Sequence, residues 1–208
     1  AGSSTLTTIA PSGVLTPTIL SYFSKNQTET LITVSKSAVK LLGLAMALPI
    51  GLICGFAPLL LTLWVGGQYA FLAPLMVIMT LHLAVNLAVL PLFSINVAYN
   101  CVRIPGIVTF LMGIWNFILA ITLPLITGWG YYGVAIAGAI VLTLKNCIFT
   151  PWYASKIIGI NIYTFIISMI PGILATIIIW IISSIFVIFL PALGILELLP
   201  IFALITGI

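Results

Sequence analysis

Apolar residues in this chain fall into long runs: Leu41 to Val65, Phe71 to Ala98, Ile104 to Ile126, Tyr132 to Trp152, Ile162 to Leu190, and a shorter one from Leu193 to Ile208. A helix needs roughly 20 residues to cross a bilayer core about 30 Å thick, so each run but the last is long enough to span. Within the runs apolar side chains cover every side, which excludes an amphipathic surface helix and, at these lengths, a barrel strand. The separators are short: Gly66-Gly67-Gln68-Tyr69, Tyr99 to Arg103, Gly128-Trp129-Gly130, Ala154 to Asn161, and Pro191-Ala192. Ahead of them Thr5 to Phe23, broken by Pro11, Gly13 and Pro17, reads as the last part of a spanning helix. Asn26 with Glu29 three residues later has the pattern of a capping box. It predicts a helix that starts there, lies in the interface and turns inward near Lys40.

The pattern therefore predicts an all-α integral membrane protein, a polytopic bundle of about six or seven kinked transmembrane helices. Composition agrees: of 208 residues 63% are hydrophobic and 4% charged, which excludes a water-soluble fold and leaves no room for a soluble catalytic domain. Both acids are glutamates, Glu29 and Glu197. The six basic residues change the picture most. Lys25, Lys36 and Lys40 lie at the first loop, Arg103 at the third and Lys156 at the fifth, with Lys145 a few turns before Lys156, whereas the alternate loops carry no charge. The positive-inside rule makes the loops containing Lys25/Lys36, Arg103 and Lys156 cytoplasmic, in a multi-pass protein of the cell membrane. Tyr22, Tyr99, Trp152 and Tyr153 mark that interface, and Trp64, Tyr69, Trp129, Tyr131 and Tyr132 the other. Such sparse cations form no nucleic-acid footprint, so no nucleic acid is expected as a partner. Cys54, Cys101 and Cys147 have neither metal-type spacing nor an even count, and read as packing residues. No charged leader precedes the first run, so the N-terminus is not a signal peptide. The chain begins and ends inside hydrophobic segments, as a piece of a longer protein would.

Gly128-Trp129-Gly130-Tyr131-Tyr132-Gly133 satisfies the dinucleotide pattern G-x-G-x-x-G, but it follows a membrane span, and no acid lies between Glu29 and Glu197 to hold a ribose. A tight turn accounts for the glycines. Gly133 and Ala137 then give the next helix a small-residue face, and Gly51 with Gly55 forms a G-x-x-x-G of the same meaning. Asn26-Gln27-Thr28 matches a glycosylation sequon, yet the charge pattern places it on the cytoplasmic side, away from the modifying machinery. Pro49, Pro58, Pro74, Pro91, Pro124, Pro151 and Pro171 are expected to kink their spans, either as ordinary packing or as bending points of a transporter.

Polar groups inside the runs are few: His82, Asn86, Asn96, Asn116, Lys145 and Asn146, with Glu197 near the far interface. Each is expensive in a bilayer and so points to a partner or a cavity. His82 and Asn86, four residues apart, share one helix face and either line a cavity or bond a neighbouring helix. Asn116 lies near mid-span, where an interhelical hydrogen bond is expected. Lys145 either snorkels to the headgroups or offers a cation to an anionic phosphate. The substrate-cavity candidates are thus His82, Asn86, Asn116 and Lys145. No catalytic constellation, metal set or cofactor motif accompanies them, so the chain is not expected to be an enzyme.

The order of motifs is similar to a known family. A proline-bearing helix end with a polar loop (Thr16-Pro17 to Thr30), then Leu48-Pro49-Ile50-Gly51-Leu52, then Leu63-Trp64-Val65-Gly66-Gly67-Gln68-Tyr69, resembles the polysaccharide exporter branch of the multidrug/oligosaccharidyl-lipid/polysaccharide flippase superfamily, which includes O-antigen and teichoic-acid-type flippases. Asn116 ahead of Gly130-Tyr131-Tyr132-Gly133-Val134-Ala135-Ile136-Ala137 continues the likeness, which covers most of Ala1 to Gly159. The resemblance implies a MATE-like flippase fold of a dozen or more helices in two pseudo-symmetric lobes around a cavity. Residues 1–160 would supply helices of the second lobe and 161–208 trailing helices. It implies export of a lipid-linked oligosaccharide or polysaccharide precursor by alternating access, with membrane lipids, that substrate and the missing N-terminal lobe as partners. A cation-coupled multidrug or metabolite exporter of the same superfamily is the alternative, although only Glu197 would serve it as a coupling carboxylate. A non-transporting membrane subunit is a third.

Overall fold

The computed structural model describes residues 12–189, and every regular element among them is a helix. The run from Leu193, Glu197 within it and the start of the first segment lie outside the described residues. Helix α1 (Ser12–Ser24) leads into α2 (Thr28–Gly55), α3 (Ala57–Trp64), a 3-10 turn (Gly67–Leu72), α4 (Ala73–Leu81), α5 (Leu83–Ala88) and α6 (Leu90–Ala98). Then come α7 (Arg103–Thr127), α8 (Tyr131–Leu144), a π-turn (Lys145–Phe149), α9 (Thr150–Ile158) and α10 (Tyr163–Phe189). Five stretches are long and apolar enough to cross a membrane: Thr28–Gly55, Gly67–Ala98, Arg103–Thr127, Tyr131–Ile158 and Tyr163–Phe189. The protein is a polytopic all-α membrane protein.

The start of α2 departs from the expected cap. Asn26 adopts a left-handed φ of 54° and Gln27 takes the N-cap position with no side-chain hydrogen bond, so the Asn26/Glu29 pair forms no capping box. Nor is there a separate interfacial helix. Thr28–Gly55 is one continuous helix, because every fourth residue from Leu31 through Ser35, Val39, Gly43 and Ala47 is buried along one stripe that carries straight past Lys40. The prolines divide by position. Pro49, Pro124 and Pro171 lie inside α2, α7 and α10, Pro58, Pro74 and Pro91 open α3, α4 and α6, where the missing N–H costs nothing, and Pro151 at the start of α9 follows directly on the π-turn within one span.

Helix α10 packs along α2, and the two run parallel: Gly43 meets Gly172, Gly51 meets Thr176 and Ile179, and Gly55 meets Ser183. Small residues let the backbones approach, as expected of the Gly51/Gly55 pair. A Cβ on Gly51 would lie 2.7 Å from Ile179, and one on Gly55 would run into the Ser183 hydroxyl, which donates to the Gly51 carbonyl at 3.2 Å. Gly133 does the same for α7 and α8, where a Cβ would lie 2.9 Å from the Pro124 nitrogen. Gly128 (φ 71°) and Gly130 (φ 54°) make the turn between them. A buried cluster of Ile19, Leu31, Leu92, Ile95, Ala154 and Phe165 ties α1, α2, α6, α9 and α10 together at the end where the loops of Lys25, Arg103 and Lys156 gather; there Phe23 and Tyr99 are 4.6 Å apart between ring centroids. At the opposite end Phe56 faces Phe186 and the Tyr132 hydroxyl donates to the Phe71 carbonyl. Helix α7 stands outermost, packed on α8 with none of its residues buried.

Candidate functional site

The second span, Gly67–Ala98, is not one rod. It breaks at His82, between α4 and α5, and again at Val89, ahead of Pro91. Both breaks have a near-zero or shallow ψ, the tighter geometry of a 3-10 turn. The short helix between them carries His82 and Asn86 on one face, and Asn86 Nδ2 donates to His82 Nδ1 at 2.8 Å. Buried Ala84 and Ala88 on this segment let it sit close to α2, where Ala88 approaches Gly43.

The fourth span is interrupted as well. Pro151 has no N–H to offer the Cys147 carbonyl and its ring would crowd it, and the helix widens just upstream into a π-turn closed by the Thr150 N–H on the Lys145 carbonyl. The wider turn buries two consecutive polar residues, Lys145 (8% exposed) and Asn146 (7%), on a helix where neighbours normally diverge by about 100°. Asn146 Nδ2 then crosses to Asn86 Oδ1 at 3.0 Å. The Thr150 hydroxyl completes the line, 3.2 Å from Asn146 Oδ1 and 3.3 Å from the Lys145 carbonyl. Four side chains from two broken spans thus form one hydrogen-bonded chain within the bilayer zone: Thr150, Asn146, Asn86, His82.

His82 also lines an open cavity of about 350 Å³ between α4, α5, α8 and α10, whose walls include Ile78, Val85, Thr143, Ile173 and Thr176. That volume lies at the small end of ligand sites, and the lining is almost wholly apolar. His82 is where the polar chain reaches this space.

The four candidates are only partly brought together. His82 and Asn86 share the chain. Lys145 adjoins it in sequence, but its ammonium sits over the Phe93 ring, 5.4 Å from the centroid, so it turns inward rather than snorkelling. Asn116 stands apart on α7, facing Gly138 of α8; its Oδ1 is buried with no hydrogen-bond partner, and the interhelical bond expected of it is absent. Of the other two members, Asn146 stands out in the sequence as a polar group within a run but not as a cavity candidate, and Thr150 does not stand out. Their i, i+4 spacing, the same as that of His82 and Asn86, was the available signal. No group of three or more His, Cys, Asp or Glu that would hold a metal occurs among the described residues. Cys54 is buried, and Cys101 and Cys147 are half-buried, all three free.

Comparison with known proteins gives an informative relative. The chain is 43% identical over 164 residues to a protein from Bacillus subtilis (strain 168) named uncharacterized membrane protein EpsK, an overlap of 79% of this chain and 32% of that protein. The chain therefore spans about a third of the length of this relative. No family model and no solved structure matches the chain. A membrane-protein relative and five apolar spans agree on a multi-pass membrane protein.

Proposed function

We propose that this chain is part of a flippase that exports a lipid-linked oligosaccharide or polysaccharide precursor across the cell membrane by alternating access, with no covalent chemistry on its cargo. The observation that carries the reading is the coincidence of polar groups with helix breaks. His82, Asn86, Asn146 and Thr150 lie where two spans are interrupted, the construction that transporters use to place polar groups near the midplane. Lys145 adds a buried cation with no carboxylate beside it among the described residues, suited to an anionic phosphate. The motif order from Thr16 to Ala137 supplies the family, and the small-residue contact of α2 with α10 supplies a unit stiff enough to rock. The remainder of the longer protein would provide the facing lobe, and the basic loops would be cytoplasmic.

The test uses the complete protein in its host. Replacing His82, Asn86, Asn116 and Lys145 together should abolish surface polysaccharide and accumulate the lipid-linked precursor at an unchanged protein level. Undiminished export would remove these residues from the site. Loss of drug resistance with polysaccharide intact would favour the multidrug or metabolite exporter instead.

A further inference from the structure

The hydrogen-bonded chain has a direction. Thr150 can only donate its proton into Asn146 Oδ1 or the Lys145 carbonyl, Asn146 donates through Nδ2 to Asn86 Oδ1, and Asn86 donates through Nδ2 to His82 Nδ1. With both amides oriented as the structure places them, His82 Nδ1 is the acceptor, the arrangement of a neutral imidazole with its proton on Nε2. We infer that His82 is a proton-binding site whose occupancy is relayed through Asn86 and Asn146 to the π-turn that carries Lys145.

The relay follows from donor counting. A proton taken from water in the cavity and added at Nδ1 turns that atom into a donor, and the contact with Asn86 survives only if Asn86 rotates its amide to present Oδ1. Asn86 Nδ2 then faces Asn146, which must rotate in turn and direct Nδ2 at the Thr150 oxygen. The Thr150 hydroxyl, until then divided between Asn146 Oδ1 and the Lys145 carbonyl, gives its proton to the carbonyl alone. One proton is bound, no covalent bond breaks, and each of the three side-chain hydrogen bonds of the chain is replaced by one running the opposite way. The carbonyl that closes the π-turn gains a full second hydrogen bond, so protonation at His82 tightens the turn from which Lys145 reaches over Phe93.

The surroundings decide when the proton stays. From the elements packed on α4 and α5, the ionisable groups are Glu29, Lys36, Lys40 and Cys54 on α2, Tyr69 on the 3-10 turn, Tyr131 and Tyr132 on α8, Lys145 and Cys147 on the π-turn and Tyr163 on α10; α3 carries none. The one carboxylate among them, Glu29, is exposed in the first turn of α2 at the basic end. A protonated His82 is thus without a counter-charge from the described residues, and holds its proton only while the cavity side supplies water or an anionic group.

The relay does not depend on the cargo proposed above, and its test measures no transport, so the two can fail separately. In the complete protein in phosphatidylethanolamine/phosphatidylglycerol nanodiscs, the ring-nitrogen NMR resonances of His82 are isolated by difference from His82→Gln. They should show a neutral form protonated on Nε2, converting to imidazolium as pH falls, and the Lys145 carbonyl carbon resonance should move with the same midpoint. In Thr150→Val, a near-isosteric change, the ring should still titrate while the carbonyl stays still. A neutral tautomer protonated on Nδ1, a carbonyl that titrates equally in His82→Gln, or coupling that survives in Thr150→Val would each overturn the relay.

Discussion

Gly172→Ala and Gly43→Ala test the contact that holds α2 to α10, because the two glycines face each other yet tolerate a methyl group very differently. A Cβ on Gly172 would lie 2.7 Å from the Gly43 carbonyl carbon, 2.8 Å from its Cα and 3.0 Å from its oxygen. All three are backbone atoms inside a continuous helix and cannot rotate away. Restoring ordinary contact at about 3.6 Å requires the two helices to part by about 0.9 Å, and a gap of that size forfeits up to half of each dispersion contact along the seam. Overpacking of this kind costs about 1–3 kcal/mol. In a bilayer no hydrophobic term offsets the loss, since lipid tails are as apolar as the helices. A Cβ on Gly43 would instead meet Ala88 Cβ and Gly172 Cα at 3.4 Å each, the edge of normal contact. That strain is small beside the roughly 0.5–1 kcal/mol by which alanine favours a helix over glycine.

Gly172→Ala should therefore lower the unfolding midpoint of the complete protein, by heat or by a rising mole fraction of denaturing detergent, while Gly43→Ala leaves it unchanged or slightly raised. Gly113→Ala on α7, where nothing lies within 4 Å of the new methyl, is the control and should stabilise by the helix-propensity term alone. Equal midpoints for Gly172→Ala and Gly113→Ala would refute close backbone packing as the basis of this seam.

Three further outcomes are expected. Single cysteines in place of Lys25, Arg103 and Lys156 should resist an impermeant thiol reagent in intact cells while one at Gln68 reacts; the reverse pattern would invert the topology. Asn146→Leu removes the donor to Asn86 Oδ1 and leaves the Thr150 hydroxyl only the Lys145 carbonyl, and should cost about 0.6–2 kcal/mol in the same unfolding titration, whereas Asn116→Leu, whose Oδ1 already lacks a partner, should be neutral or stabilising. Gly128→Ala forces a Cβ into a left-handed conformation at φ 71° and should destabilise by about 1–2 kcal/mol; no change in midpoint would mean that the turn relaxes freely.

Hydropathy made the spans legible because bilayer thickness fixes their length, and the basic loops fall at one end of the bundle as the alternation of charge requires. What sequence could not give was the identity of each packing partner. Gly51-x-x-x-Gly55 announces a close neighbour, but that the neighbour is α10, running parallel and presenting Gly172, Thr176 and Ser183, depends on how five spans share one volume. The capping box misled for a related reason. Asn26 and Glu29 have the right spacing, yet the chain must reverse direction within Lys25 to Gln27, and Asn26 supports that turn by taking a left-handed φ, which removes it from the cap.

The polar site shows where the boundary between local and global information falls. His82 and Asn86 are joined by helix geometry alone, and so are Asn146 and Thr150, since residues four apart on a helix lie within hydrogen-bond reach. Each pair is half-satisfied by itself. Asn86 keeps a free carbonyl oxygen and Asn146 a free amide, and in a bilayer neither can turn to water. The two leftovers are a matched acceptor and donor, so the interhelical bond from Asn146 to Asn86 is the completion that both pairs demand. Asn116 has no polar neighbour four residues away on α7, where Met112 and Ala120 are both apolar, and it also has no partner for its Oδ1 in the fold. A lone amide in a span thus says little about its surroundings, whereas two polar pairs with complementary remainders specify a contact between residues 60 positions apart in the chain.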